Sequence, residues 1–502
     1  MVRMDLGESA EALEDRCRVL LSEAGELDRF CSVDGSLGPA DEAIVERCLE
    51  TITLAAEHGV ATRHAELASR LAEALSIRGE PLRGDSVLEM AQSCLSEVEN
   101  FELAAQVGLK LFDSKWGRGF GPEQLEGHLQ ETLGQARQVG GSVYASLLLR
   151  YSYLCKSTNR REVALRHYEE ARDVFRSIGD HRGVAHAADS LGGVWRDLGR
   201  PDNAETHLRQ ALQIWEAVGD PTDIAFARFR LAWGLGSSSS AYHARRASEA
   251  LALLADARKQ YAEAEDLGMM AECDMQAAMW IAADPERGSD KAIPFFERAA
   301  TLFDAVGAEA GLWKTQVNLA IEHSRRGDVD RAMGIWESVA ERAEEFGDDF
   351  FEGVTRILMV RQLLKRGYVD VGSRMLDDVA EVLETSDVKE WRAQYWLARA
   401  ESFQRMNQLR PTKEAAAAAL AELSETVLSE EYAAVLEVLA WCDDGDGNPD
   451  KAGRRRGEAL ALYTNIGESE DAHRLATAIV PPPPTDASEG LDLPPLSTGV
   501  YL

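Results

Sequence analysis

Residues 199–220 read Gly199-Arg-Pro-Asp-Asn-Ala204-Glu-Thr-His-Leu208-Arg-Gln-Ala211-Leu-Gln-Ile-Trp215-Glu-Ala-Val218-Gly219-Asp220. The stretch opens on a Gly with a Pro two residues later, where a helix tolerates it in its first turn. It closes on a Gly that can cap a helix in the left-handed conformation. Between them Ala204, Leu208 and Ala211 stand at offsets of four and three, on one helix face. On such a face a small residue admits a neighbouring helix and a large one fills the next gap.

The same frame returns along the chain. The spacing from Gly179 to Gly219 and from Gly307 to Gly347 is forty residues, and Gly467 follows Gly347 at three times that distance. An alanine stands fifteen residues before each: Ala164, Ala204, Ala292, Ala332 and Ala452. Four residues later come Tyr168, Leu208, Phe296, Trp336 and, as the exception, Arg456; three further on come Ala171, Ala211, Ala299, Val339 and Ala459. A period of this length marks one helix pair that cannot bury its own apolar face and must stack on copies of itself. Ala, Leu, Glu and Arg dominate from Pro39 onward and apolar residues recur at three and four, so an all-α array is expected.

The first helix of the pair is legible in Ala188-x-x-Leu191-Gly192-x-x-Trp195-x-x-x-Gly199. Together with Ala204, Leu208 and Ala211 this resembles the tetratricopeptide repeat motif. The unit is longer than the length of about 34 common in that family. It is similar to the longer units of kinesin light chains and of the sensor regions of bacterial regulators and signalling ATPases. The resemblance implies a right-handed α-solenoid whose first helices line an inner groove that receives an extended or helical peptide. Setting Leu191 and Leu319 equivalent puts Arg150, Tyr153, Arg196, Lys314, Asn318, Arg361 and Arg405 at or near that groove. Arg can grip a carboxylate bidentately and Asn can pair with a peptide amide, so an acidic or C-terminal peptide is the expected ligand. Lys156, Arg325 and Lys365 fall there too, but near helix C-termini, where a cation also complements the helix dipole in water.

Three segments are expected: an N-terminal capping helix or flexible leader over 1–38, ten or eleven repeat units over 39–480, and a Pro-rich disordered tail over 481–502. Degenerate units are placed near Ala43-x-x-x-Arg47, from Leu82 to Glu99 and near Gln124 to His128. After Gly219 the next anchor is taken as Gly268, a step of 49, with the extra residues in Gly234-Leu-Gly-Ser-Ser-Ser-Ser240. That tract reads as a surface insertion, with a ligand-contacting loop as the alternative. The tail carries Asp486, Glu489, Asp492 and the carboxylate of Leu502, and is proposed as an intramolecular ligand that folds back into the groove.

Lys and Arg number 54 against 86 Asp and Glu, a net charge of -32. So acidic a surface repels phosphate backbones and anionic lipid, which argues against direct nucleic-acid or membrane binding. The seven cysteines are scattered singly, as suits reduced thiols in a cytoplasmic protein better than a disulfide framework. The first fifteen residues hold Asp5, Glu8, Glu11, Glu14 and Asp15, unlike a secretory signal.

No phosphate loop, dinucleotide fingerprint, zinc-protease motif or nucleophile elbow is present. Gly117-Arg-Gly-Phe-Gly121 reads as an inter-helix loop, with an anion-binding nest as the alternative. Asp443-Asp-Gly-Asp-Gly-Asn-Pro-Asp450 departs from a calcium loop, because counting from Asp444 the sixth position is Pro449 and the twelfth Arg455. The chain is therefore read as a non-catalytic peptide or protein receptor, without cofactor or metal. Two alternatives stand beside it: a regulatory sensor acting through a separate DNA-binding or signalling partner, and an enzyme or biosynthetic accessory with a site around Trp116 to Pro122.

Overall fold

A computed structural model describes residues 10–26, 39–57, 61–77, 79–235, 243–282, 288–384, 389–423, 430–466, 473 and 475–476. Among these residues there are helices, turns and bends but no strand. The proposed tail, 481–502, and residues 236–240 of the Ser-rich tract lie outside the described residues. The chain divides into two compact units, Met1–Asp220 and Pro221–Leu502.

The first unit holds α1 (Ala10–Glu26), α2 (Pro39–Glu57), α3 (Ala61–Ile77), α4 (Pro81–Glu97), α5 (Phe101–Gly117), α6 (Pro122–Val139), α7 (Gly141–Ser157), α8 (Arg161–Ser177), α9 (His181–Asp197) and α10 (Pro201–Val218). From α3 onward they form antiparallel pairs: α3, α7 and α9 each pack most heavily on the even-numbered helix that follows, and α5 packs equally on α4 and α6. The helix read as a cap or leader, α1, packs on both α2 and α3. Each first helix also touches the next first helix, α3 with α5, α5 with α7 and α7 with α9; of the second helices only α2 and α4 make a comparable contact. The first helices thus form the closer-packed layer.

The turn inside each pair is the most regular feature. Gly79, Gly119, Asn159 and Gly199 follow one another at steps of forty, all with positive φ, at 80°, 82°, 61° and 67°. At Gly199 the helix closes with Gly199 N–H donating to the Arg196 carbonyl (2.8 Å) and Arg200 N–H to that of Trp195 (2.9 Å); Asn159 and Arg160 repeat the pattern onto Lys156 (3.1 Å) and Cys155 (2.7 Å). Two orphan carbonyls are satisfied in each case, and the following Pro81, Pro122 or Pro201 starts the second helix without losing a needed donor.

In the second helices the sequence frame is the core. Ala164, Tyr168, Ala171 and Phe175 on α8, and Ala204, Leu208, Ala211 and Trp215 on α10, are all buried. Gly84, Leu88, Ala91 and Leu95 on α4, and Leu125, Leu129, Thr132 and Ala136 on α6, occupy the same offsets. On α2 the buried line is Val45, Cys48 and Ile52, while Ala43 and Arg47 are exposed, so the frame drawn through those two is displaced by two residues.

Gly192 shows why the first-helix motif needs its glycine: a Cβ there would lie 2.5 Å from the Leu208 side chain and 3.2 Å from the Ala204 carbonyl oxygen. Gly192→Ala is expected to destabilise the first unit by about 1–2 kcal/mol, overpacking outweighing the better helix propensity of Ala. Gly127 is exposed on α6 with nothing within 4 Å of its Cβ position, so Gly127→Ala should stabilise by about 0.5–1 kcal/mol. Urea midpoints of the two variants shifting in the same direction would contradict this account.

The second unit holds α11 (Pro221–Leu235), α12 (His243–Glu263), α13 (Leu267–Ala282), α14 (Gly288–Ala305), α15 (Glu309–Arg325), α16 (Val329–Phe346), α17 (Asp349–Lys365), α18 (Val369–Asp378), α19 (Ala380–Glu384), α20 (Lys389–Arg405), α21 (Leu409–Glu422), α22 (Glu430–Gly445) and α23 (Pro449–Ile466). These again pack as pairs, with α18 and α19 together serving as the second helix of one of them. Within-pair turns recur at Gly327, Gly367, Asn407 and Gly447, again at steps of forty and all with positive φ. Gly268 is not the anchor after Gly219: it lies inside α13. The left-handed residue is Glu265 (φ 58°), and counting back from it recovers the frame as buried Ala250, Leu254, Ala257 and Tyr261.

Candidate functional site

In the first unit α5, α7 and α9 turn one flank each toward a hollow of about 650 Å³. Its floor is aromatic. Phe112 and Trp116, one turn apart on α5, stack at 5.9 Å with planes 17° apart, and Tyr153 of α7 meets Trp116 edge-on at 5.3 Å and 86°. Tyr153 is 50% exposed, so this pair presents apolar surface to solvent. Beneath α9, Gly183 leaves room for the Phe175 ring, which a Cβ would approach to 2.2 Å.

The charges around this hollow are matched among themselves. Arg150 donates from both Nε (2.7 Å) and an Nη (3.2 Å) to the two oxygens of Asp113. Asp180 accepts from the Gly183 backbone N–H (2.9 Å) as the N-cap of α9, and Arg182 lies 3.6 Å from Asp220. His186 projects from α9 against the Trp215 ring, at 4.9 Å.

A second hollow, of about 590 Å³, lies over α3 on the opposite flank of α5, where Leu103, Gln106 and Lys110 face Leu21, Glu66 and Arg70. Glu66 is bound by Arg63 (2.5 Å), and Arg70 lies 3.2 Å from Glu73.

Of the residues assigned to the groove from sequence, Arg150 and Tyr153 line one hollow together. Arg196 is half-buried near the end of α9, and neighbouring Lys156 pairs with Asp197 (3.0 Å). The others stand on first helices of the second unit. Lys314 is half-buried on α15 near Glu272, whose carboxyl is pushed up by burial and drawn partly back by the lysine. Asn318 is 0% exposed, and Arg361 is 5% exposed with Glu401 at 3.8 Å. Arg405 is exposed at the end of α20. Asn318 and Arg361 thus belong to a buried polar layer with Glu322, Gln362 and Ser402, the last three at one repeat position forty residues apart. Sequence reasoning did not single out Phe112 and Trp116 as groove residues; the signal was present, because Trp116 stands forty residues before Lys156, at an offset already placed near the groove, three residues before its own within-pair turn.

The glycine-rich segment 117–121 is the turn between α5 and α6. Arg118 binds Asp85 and lies over the Phe120 ring at 5.1 Å, so the turn is tied down by its own side chains. In the acidic turn 443–450, Asp443 is held by Lys451 (3.0 Å) and Arg455 (2.6 Å), Asp444 by Arg456 and Asp446 by Lys413. Among the described residues no three or more His, Cys, Asp or Glu side chains converge as metal ligands. The thiols of Cys48 and Cys273 are pushed up to about 12 and that of Cys442 to about 11, in each case chiefly by burial, which keeps them protonated.

Comparison with known proteins agrees with the helix-pair array. The tetratricopeptide repeat family matches residues 143–217, and the soluble NSF attachment protein (SNAP) family matches residues 231–345. No curated protein matches the chain. Among solved structures it is similar to a Rap protein complexed with competence and sporulation factor (TM-score 0.49, 14% identity, covering 90% of this chain and 99% of that one). It is also similar to the apo form of the quorum sensor NprR from B. thuringiensis (TM-score 0.43, 12% identity, 77% and 98%) and to yeast Tom70 (TM-score 0.43, 12% identity, 94% and 95%). At this identity the likeness is one of fold alone.

Proposed function

We propose that the chain is a non-catalytic peptide receptor or scaffold, and that the inner face of Met1–Asp220 is where it takes its ligand. The observation that carries this reading is the hollow in which Tyr153, exposed, and Trp116, half-buried, present aromatic surface over the buried ring of Phe112 while the rim charges are matched. Exposed Tyr and Trp faces beside hydrogen-bonding side chains supply large contact area at low entropic cost, which is why they anchor protein interfaces. The preference for an acidic or C-terminal peptide belongs to the same proposal. Residues 101–200 carry 14 Lys and Arg against 12 Asp and Glu, in a chain with 54 against 86, so this stretch is the part of the chain least repulsive to an anion.

The proposed compartment is the cytoplasm. Among the described residues no helix is long and apolar enough to cross a membrane, and the six described cysteines are free thiols, five of them buried. The test is selection of displayed random peptides against the protein, followed by direct affinity measurement. Tyr153→Ala should weaken the selected peptides about 5- to 30-fold, as for a truncated interface hot spot, with the melting curve unchanged. Peptides that bind Tyr153→Ala and the parent equally well would refute this location.

A further inference from the structure

The inner face of Met1–Asp220 offers two hollows of mixed lining, which differ in the aromatic rings of one and, among the described residues, the unmatched lysine of the other. The one over α7 and α9 has its charges matched, Arg150 to Asp113, Asp180 to the Gly183 N–H and Arg182 to Asp220, and what it offers a ligand is aromatic surface. The one over α3 sets charged side chains among the apolar Leu21, Ala65, Leu103 and Val107; of these charges Glu66 is bound by Arg63, and Arg70 and Glu73 pair with each other. Lys110 is exposed in it, and among the described residues has no acidic partner. The other cations of α5 and its turn are occupied: Lys115 binds Glu89 (2.7 Å) and Arg118 binds Asp85.

Both hollows are built on one helix. Lys110 with Leu103 and Gln106 forms one flank of α5, and Trp116 with Leu109 and Phe112 the other. A single helix is roughly 10 Å across, and an extended chain advances about 3.3 Å per residue. A segment crossing α5 would therefore set side chains about three residues apart into the two hollows.

We propose that one extended peptide segment occupies both hollows, an acidic side chain on Lys110 and an aromatic side chain about three residues away against Trp116 and Tyr153. This rests on the peptide-binding reading above and names its ligand. The pairing makes the site directional: neither an acidic tract nor an apolar tract alone satisfies both halves. An acid at a fixed offset from an aromatic residue is the recognition element.

The test uses the full chain and a defined probe, acetyl-Gly-Glu-Ala-Ala-Phe-Gly-amide, with three variants carrying Gln or Lys for Glu, or Ala for Phe. Binding is followed by calorimetry at low salt. The parent probe should bind about tenfold more tightly than the Gln and the Ala variants, with the Lys variant weakest. Lys110→Gln in the protein should abolish the difference between Glu and Gln probes and leave the Phe-to-Ala difference intact; Tyr153→Ala should do the reverse. Equal affinity of the Glu, Gln and Lys probes, or a Glu preference that survives Lys110→Gln, overturns the proposal and leaves the peptide-binding reading standing. If none of the four probes binds while displayed peptides bind in a Tyr153-dependent way, the acid-and-aromatic element is again overturned and the receptor reading survives. If no selected peptide depends on Tyr153, both fall.

Discussion

Trp336→Ala is expected to lower the stability of the α15–α17 region by about 3–5 kcal/mol, the range for truncating a fully buried large aromatic side chain. Trp336 is 1% exposed and stands at the frame position that Leu208 and Phe296 fill elsewhere, packed in one cluster with Ala320, Ala332, Val339 and Phe303. Because it is the largest side chain in the series at that position, its loss leaves the largest void, and the small residues around it cannot collapse inward. In a stack of pairs the damage should be local, since each pair's stability depends on its immediate neighbours. Hydrogen exchange should therefore show lost protection in α15, α16 and α17, with α23 little changed. Uniform loss along the second unit, or no loss in α16, would show that the frame position does not carry this weight.

Acidification should destabilise Met1–Asp220 from about pH 6.5 downward. Three of its histidines are held below their ordinary range, in each case chiefly by burial. His64 on α3 sits between the carbonyl oxygens of Ile52 on α2 and Ala91 on α4 (3.1 Å to the latter), contacts that favour the charged ring but are outweighed by burial. His128 faces the Gly108 carbonyl (3.1 Å), and His207 is further opposed by Arg172. In the unfolded chain all three titrate near the usual value of about 6.5. The unfolded state thus binds more protons than the folded state below that pH, so stability is complete above it and falls as pH drops toward the folded values. Each histidine can contribute up to about 1.4 kcal/mol per pH unit in that window. Hydrogen exchange in α3–α6, corrected for its intrinsic pH dependence and compared at pH 7.5 and 5.5, checks this. Protection that holds or rises at pH 5.5, or that falls equally in His64→Gln and His128→Gln variants, would count against it. In the second unit the balance is mixed: burial, with Arg331 and Arg326, holds His323 below its ordinary range, whereas burial raises Glu272 and Glu352, which take up protons on folding and act in the opposite sense.

The fold was legible because glycine marks left-handed turns and a repeated glycine reveals the period. It was illegible where another residue holds that conformation. Glu99, Asn159, Glu265 and Asn407 all have φ between 55° and 61°. Asn is tolerated there and Glu gives no sign of it. Hence glycine spacing alone points to Gly268 where Glu265 holds the turn, although Ala250, Leu254, Ala257 and Tyr261 repeat the core pattern without it. In the candidate site, register alone was enough to bring Arg150 and Tyr153 to the inner face. It could not show that Arg150 is matched to Asp113 or that Asn318 is covered, because pairing and burial depend on the length and rotamer of side chains in the neighbouring helix pair. Nor did it distinguish Lys110, whose significance lies in what is missing beside it among the described residues.

The within-pair turns have a further consequence for how such a chain changes over generations. Gly119 and Asn159 hold one backbone conformation at equivalent places, so they are interchangeable joints. An unequal crossover that linked Gly119 directly to Arg160 would delete residues 120–159 and leave α5 followed by α8, each with its own terminus intact. The lineage would lose one inner helix and one outer helix in a single step. The heritable unit of gain or loss coincides with the unit of ligand contact, which lets the reach of the inner face be edited by recombination while its individual side chains are tuned by point mutation.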